Sequence, residues 1–151
     1  MKIHVFSRVK VETGIPMKSP YVVISIRNAD ETRAKVKQQP GLRGVLYLAF
    51  SGVEPRPYVQ PPREITAFTP AQADRICKFV HRHKADVGAI VVHCELAKSR
   101  SPAVAAAIAK ALGLSDKRFW QLHTPTPYVY RLLSEAFERN PVAQPANNKK
   151  R

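Results

Sequence analysis

The stretch His93-Cys94-Glu95-Leu96-Ala97-Lys98-Ser99-Arg100-Ser101 lies between two segments of different character. Before it, residues 87–93 read VGAIVVH, a short β-branched run suited to a strand covered on both faces of a parallel sheet. After it, Ser101 and Pro102 read as a helix cap and a first helical residue, and residues 103–112 as an alanine-rich helix stopped by Gly113. A loop that leaves a buried strand and enters a helix sits at the carboxyl edge of an α/β sheet, where ligands bind. Its N–H groups and the helix N-terminus attract an anion. The order strand, loop, helix therefore predicts a phosphate or carboxylate site.

The residue types in the loop suit nucleophilic chemistry on such an anion. A thiol at a helix N-terminus beside an arginine falls from a pKa of about 8.5 into the range of about 3.5–7.5, so Cys94 is expected as a thiolate nucleophile. Arg100, six residues on, can fold back over the loop and offer two parallel N–H bonds to an oxyanion, geometry that a lysine lacks. The Ser101 hydroxyl can donate toward the sulfur and ease its departure in a second step.

This spacing, H-C-x5-R-S, is the signature of cysteine-based protein phosphatases, and over about residues 22–137 the chain resembles the small dual-specificity and tyrosine phosphatases. The resemblance implies that Cys94 attacks phosphorus and forms a thiophosphate intermediate. It also implies that the amides of Glu95, Leu96, Ala97, Lys98, Ser99 and Arg100, with the Arg100 side chain, hold the phosphoryl oxygens. Ser101 then assists the leaving thiolate, His93 holds the loop in shape, and neither metal nor cofactor takes part.

Three positions depart from that pattern. Many members carry glycine where this chain has Ala97, so the backbone there either avoids positive φ or distorts the loop. Members supply an aspartic acid, to protonate the leaving oxygen, from a loop that here reads Ser51-Gly52-Val53-Glu54. Glu54 is the candidate acid, with Glu64 and Asp74 less favourably placed. Positioned acid catalysis is worth about 10²–10⁴-fold, so its weakening favours phosphotyrosine, whose phenol of pKa about 10 leaves more readily than a serine alkoxide. Finally, Pro125-Thr126-Pro127 stands where many members have Pro-Asn, and Thr126 can brace the loop only in part.

Around this centre the chain alternates strands with helices. Residues 1–11 alternate loosely and suit an edge strand, residues 13–20 a loop, and residues 21–26 and 44–50 two buried strands. Residues 31–37 are a short helix candidate, and residues 51–62, with four prolines, an irregular loop. Thr69, Pro70 and Gln72 form a capping-box pattern that opens a helix over 69–84. In it Ala73, Ile76, Cys77 and Val80 share one apolar face, which makes Cys77 a core thiol, while His81 and His83 face different sides. A last helix is expected around 128–139. The pattern implies an α/β fold with a mostly parallel central sheet flanked by helices, one domain over 1–140 and a mobile basic tail over 141–151.

Composition bounds the function. The chain has 151 residues, 44% hydrophobic, enough for one core, and a formal charge of +14. No apolar run approaches the roughly 20 residues of a membrane helix. The first residues lack the apolar stretch of a secretory leader, and two cysteines are too few for a disulfide scaffold, so a cytoplasmic protein with reduced thiols is expected. The function so indicated is a phosphomonoester hydrolase acting on a phosphorylated protein or peptide, phosphotyrosine foremost. A catalytically impaired phosphate-binding protein is one alternative. A phosphatase of RNA 5′ ends or phosphoinositides, suggested by the attraction of basic charge for polyanions, is another.

Overall fold

A computed structural model of the chain describes residues 1–55 and 66–142. Four strands, β1 (Lys2–Ser7), β2 (Tyr21–Arg27), β3 (Leu42–Ala49) and β4 (Ala89–Cys94), pair in the order β1-β4-β2-β3, every pairing parallel. The helices are α1 (Arg8–Thr13), α2 (Pro70–His83), α3 (Arg100–Ala111), α4 (Lys117–Leu122) and α5 (Pro127–Arg139). The expected architecture, a parallel sheet flanked by helices, is the observed one.

Both sheet faces are covered, which is why the central strands β2 and β4 read as continuous apolar runs. Val22, Ile24, Ile26, Ile90 and Val92 point to a core shared with α2, α3 and α5, and Cys94 belongs to it. Tyr21, Val23 and Val91 point the other way, against Val11 of α1 and Ile15. The run of alanines in α3, buried from Ala103 to Ala109, lets that helix lie close to the sheet. Because the strands run parallel, all four carboxyl ends open at one edge, where β4 hands over to the loop before α3. Among the described residues no helix is long and apolar enough to cross a membrane.

Where the structure differs from expectation, competing hydrogen bonds explain the difference. The strand over 1–11 stops at Ser7, whose side chain accepts from the Lys10 amide and caps α1, and Gly14, at φ +130°, ends that helix. The helix candidate 31–37 is irregular chain, because other parts of the molecule claim its backbone groups. Arg8 donates to the Thr32 and Arg33 carbonyls, Lys35 N donates to Glu12, and Lys37 N to the Val11 carbonyl. Helix α3 begins two residues earlier than the Ser101-Pro102 pair suggests, at Arg100, with Ser99 at its cap position. Pro102 falls within its first turn, where a missing N–H leaves no bond unmade. Helix α4 was not anticipated; Asp116, accepting from Trp120 and Tyr130, moors it to α5. The Thr69 and Gln72 capping box forms as expected. Val142 packs into the core, and the tail beyond it and most of the proline-rich loop, with Glu64, lie outside the described residues.

Candidate active site

Cys94 ends β4 with its side chain turned toward the helical layer. Its Sγ lies 3.1 Å from Ser101 Oγ, and both residues are buried. Ser101 is free for this contact because Ser99, not Ser101, occupies the cap position.

The loop between them has its carbonyls tied outward. The Glu95 carbonyl accepts from Arg8 N at 3.2 Å, that of Lys98 from Thr124 N at 2.9 Å, and that of Ser99 from Thr126 N at 3.2 Å. The amides of residues 95–99, by contrast, donate to no backbone acceptor among the described residues. Carbonyls pinned outside and unspent amides ahead of a twelve-residue helix make an anion cradle. Bracing from the 124–126 segment comes from its backbone, and the Thr126 side chain makes no cap bond.

At the turn of the cradle Ala97 adopts φ +59°. The first sequence-based alternative, avoidance of positive φ, does not hold: the backbone keeps the left-handed conformation, and alanine bears a strain of about 1–2 kcal/mol that glycine would escape.

Arg100 is clamped from behind. One terminal nitrogen, Nη1, donates to Asn28 Oδ1 at 2.8 Å and to the Phe50 carbonyl at 2.9 Å. Both Nη1 protons are thereby used, leaving the Nε and Nη2 edge for a two-pronged contact with an oxyanion. Asn28 is itself fixed at the carboxyl end of β2, where its amide donates to Glu31 and Arg27 gathers the carbonyls of Asn28, Ala29 and Glu31 around one guanidinium nitrogen. Phe50 N donates to the Arg27 carbonyl, which locks the two supports together. Sequence reading missed Asn28; its one signal was a polar residue just past a buried strand.

His93 faces the opposite side of the sheet. Its Nδ1 donates to the Cys94 carbonyl and its Nε2 accepts from Ser25 Oγ at 2.7 Å, so both ring nitrogens are spent on holding the strand end. Burial pushes its pKa down to about 4, and the ring is neutral. Cys77 lies in the core, where desolvation raises its thiol to about 12.

The segment expected to carry the acid, Ser51 to Glu54, does not turn a carboxylate toward Arg100. Gly52 is the residue that faces Arg100: a Cβ there would stand 3.6 Å from Arg100 Cγ and 3.5 Å from Thr126 Oγ1. Glu54, two residues on, is exposed and has no hydrogen bond or ion pair among the described residues. Asp74 is engaged on α2 with Arg139 of α5.

No protein-family model and no curated protein sequence matches the chain. Solved structures do. Human DUSP28 superposes with a TM-score of 0.58 at 17% identity, over 91% of this chain and 92% of that one. A mouse protein assigned as a dual specificity phosphatase, complexed with zinc tungstate, superposes at 0.53 and 14% identity, over 91% and 82%. The fold is that of the dual-specificity-like, cysteine-based tyrosine phosphatases. Tk-PTP in its active form shares it too, at 0.50 and 13% identity, over 92% and 93% of the two chains. Within this phosphatase fold the loop of residues 95–99 takes its place between the central strand β4 and α3.

Proposed function

We propose that the protein is a phosphomonoester hydrolase of the tyrosine and dual-specificity type, working through a cysteinyl-phosphate intermediate on a phosphorylated protein or peptide. The observation that carries this reading is the meeting of Cys94 Sγ, Ser101 Oγ at 3.1 Å and the clamped Arg100 guanidinium around one loop of unspent amides. In the first step the Cys94 thiolate attacks phosphorus, a P–S bond forms, and the P–O bond to the substrate breaks. Amides of residues 95–99 and the free edge of Arg100 hold the phosphoryl oxygens. In the second step water attacks phosphorus, the P–S bond breaks, inorganic phosphate leaves, and Ser101 donates to the departing sulfur.

Glu54 is the carboxylate proposed to serve the leaving oxygen, exposed rather than held in place. An acid so loosely placed contributes less than the 10²–10⁴-fold of a positioned one, which favours aryl over alkyl phosphates and phosphotyrosine foremost. Reduced thiols suit a cytoplasmic setting for such a nucleophile. A second reading, a phosphate-binding protein with little turnover, is favoured by Gly52 standing where an acid side chain would face Arg100. Phosphate release from a phosphotyrosine peptide, measured beside the Cys94→Ser variant, separates the two. Release lost in the variant supports the hydrolase; peptide bound by both and cleaved by neither supports the binding protein.

A further inference from the structure

Helix α2 has two faces that differ in chemistry. Ala73, Ile76, Cys77 and Val80 are buried in the core. Arg75, Lys78, Phe79 and Arg82 recur with the same spacing of three, four and seven residues and form a second stripe. That stripe, with Leu46 of the edge strand β3, lines a groove of about 200 Å³. Its floor is apolar: Leu46 and Phe79 are half-buried, and the Phe79 ring is held edge-on by His83 at 4.7 Å. Its rim is cationic, with Arg75, Lys78 and Arg82 all exposed.

Among the described residues no acid pairs with this rim. The ion pairs among the described residues are Arg8 with Glu12 and Arg139 with Asp74, and none involves the stripe. The acidic residue of α2, Asp74, is thus turned to α5. Like charges three and four residues apart destabilise a helix, a cost that an acidic partner removes. The helix that carries the stripe is tied at its head to the strand end beside the candidate active site, because Gln72 Nε2 donates to the Ala49 carbonyl, one residue before the Phe50 carbonyl that holds Arg100.

We propose that this groove docks an acidic segment of a partner protein, seating one apolar side chain on Leu46 and Phe79 while its carboxylates meet Arg75, Lys78 and Arg82. Size and floor favour a peptide over other polyanions. The groove takes a single side chain, and its cations, all from one helix, line one wall beside an apolar floor, a pairing suited to a short segment carrying both an apolar and acidic side chains.

The test uses the intact chain and a fluorescein-labelled twelve-residue probe of Asp and Glu around one central Leu, read by fluorescence anisotropy at low salt. The triple variant Arg75→Glu, Lys78→Glu, Arg82→Glu is expected to weaken binding at least tenfold with an unchanged thermal midpoint. Reversal of three exposed lysines elsewhere, Lys10, Lys18 and Lys35, should leave it within about twofold. Exchanging the probe's Leu for Ser should weaken binding about tenfold or more, as loss of a buried leucine side chain predicts. Because the triple variant adds negative charge, Lys78→Gln alone serves as a milder second variant, expected to weaken binding measurably. Equal affinity for the Leu and Ser probes, equal effects of the two lysine and arginine sets, or tighter binding of a single-stranded oligonucleotide or an anionic vesicle through the same three cations overturns the proposal.

Discussion

Replacing Gly52 by aspartate should place an acid directly opposite Arg100, where the exposed Glu54 is not held. The geometry permits it: a Cβ at position 52 meets Thr126 Oγ1 at 3.5 Å and Arg100 Cγ and Cδ at 3.6 and 4.0 Å, ordinary contact distances, and the backbone there lies outside the left-handed region. The new carboxyl would therefore stand beside the guanidinium that is proposed to hold the phosphoryl group, and is expected to reach the substrate oxygen that departs. A positioned general acid is worth about 10²–10⁴-fold, or about 3–5 kcal/mol of barrier. The gain depends on the leaving group, because a poor one needs the proton more. With a phosphotyrosine peptide kcat should rise about 100-fold or more, and with p-nitrophenyl phosphate, whose phenolate leaves unaided, less than tenfold. The pH–rate profile should acquire a descending limb as the new acid loses its proton. Equal kcat for both substrates in the variant and the parent, with the fold intact by circular dichroism, would refute the placement of position 52 over the leaving oxygen.

Other consequences follow from the same geometry. Ala97→Gly relieves a left-handed alanine at a cost in unfolded-chain entropy of about 0.4–1 kcal/mol, so a net stabilisation of about 0.5–1 kcal/mol is expected, read as a higher urea midpoint with unchanged slope. Asn28→Ala frees one Arg100 proton from its anchor and should lower kcat/KM about tenfold with little change in thermal midpoint; Asn28→Gln, which returns a carbonyl oxygen to the same region, should recover part of it. His93 has a folded pKa of about 4 against an ordinary 6.5, so between those values the unfolded chain takes up a proton that the folded chain refuses. Its contribution to stability is complete above pH 6.5 and falls as the pH drops toward 4, by about 3 kcal/mol in all. Urea titrations of parent and His93→Asn from pH 7 to 4 check this as a difference in slope, and parallel curves would count against the neutral buried ring.

What could be read from the chain is what neighbouring residues decide among themselves. The β-branched runs behind β2 and β4 and the Thr69-Pro70-Gln72 start of α2 are local, and each emerged as expected because its hydrogen bonds close within a few residues or its faces need only be apolar. Failures came where local patterns compete with distant ones. Residues 31–37 had helical composition, yet Arg8, Glu12 and Val11 hold their backbone; Ser101 and Pro102 resembled a cap, yet Ser101 faces Cys94. The loop's residue types were legible, but not the Asn28 and Phe50 supports behind Arg100, nor that Gly52 rather than Glu54 faces it. Those relations depend on the order β1-β4-β2-β3, which brings the ends of β2, β3 and β4 to one edge. Parallel pairing joins segments tens of residues apart, and no local periodicity records which carbonyl will stand beside which guanidinium when the sheet closes.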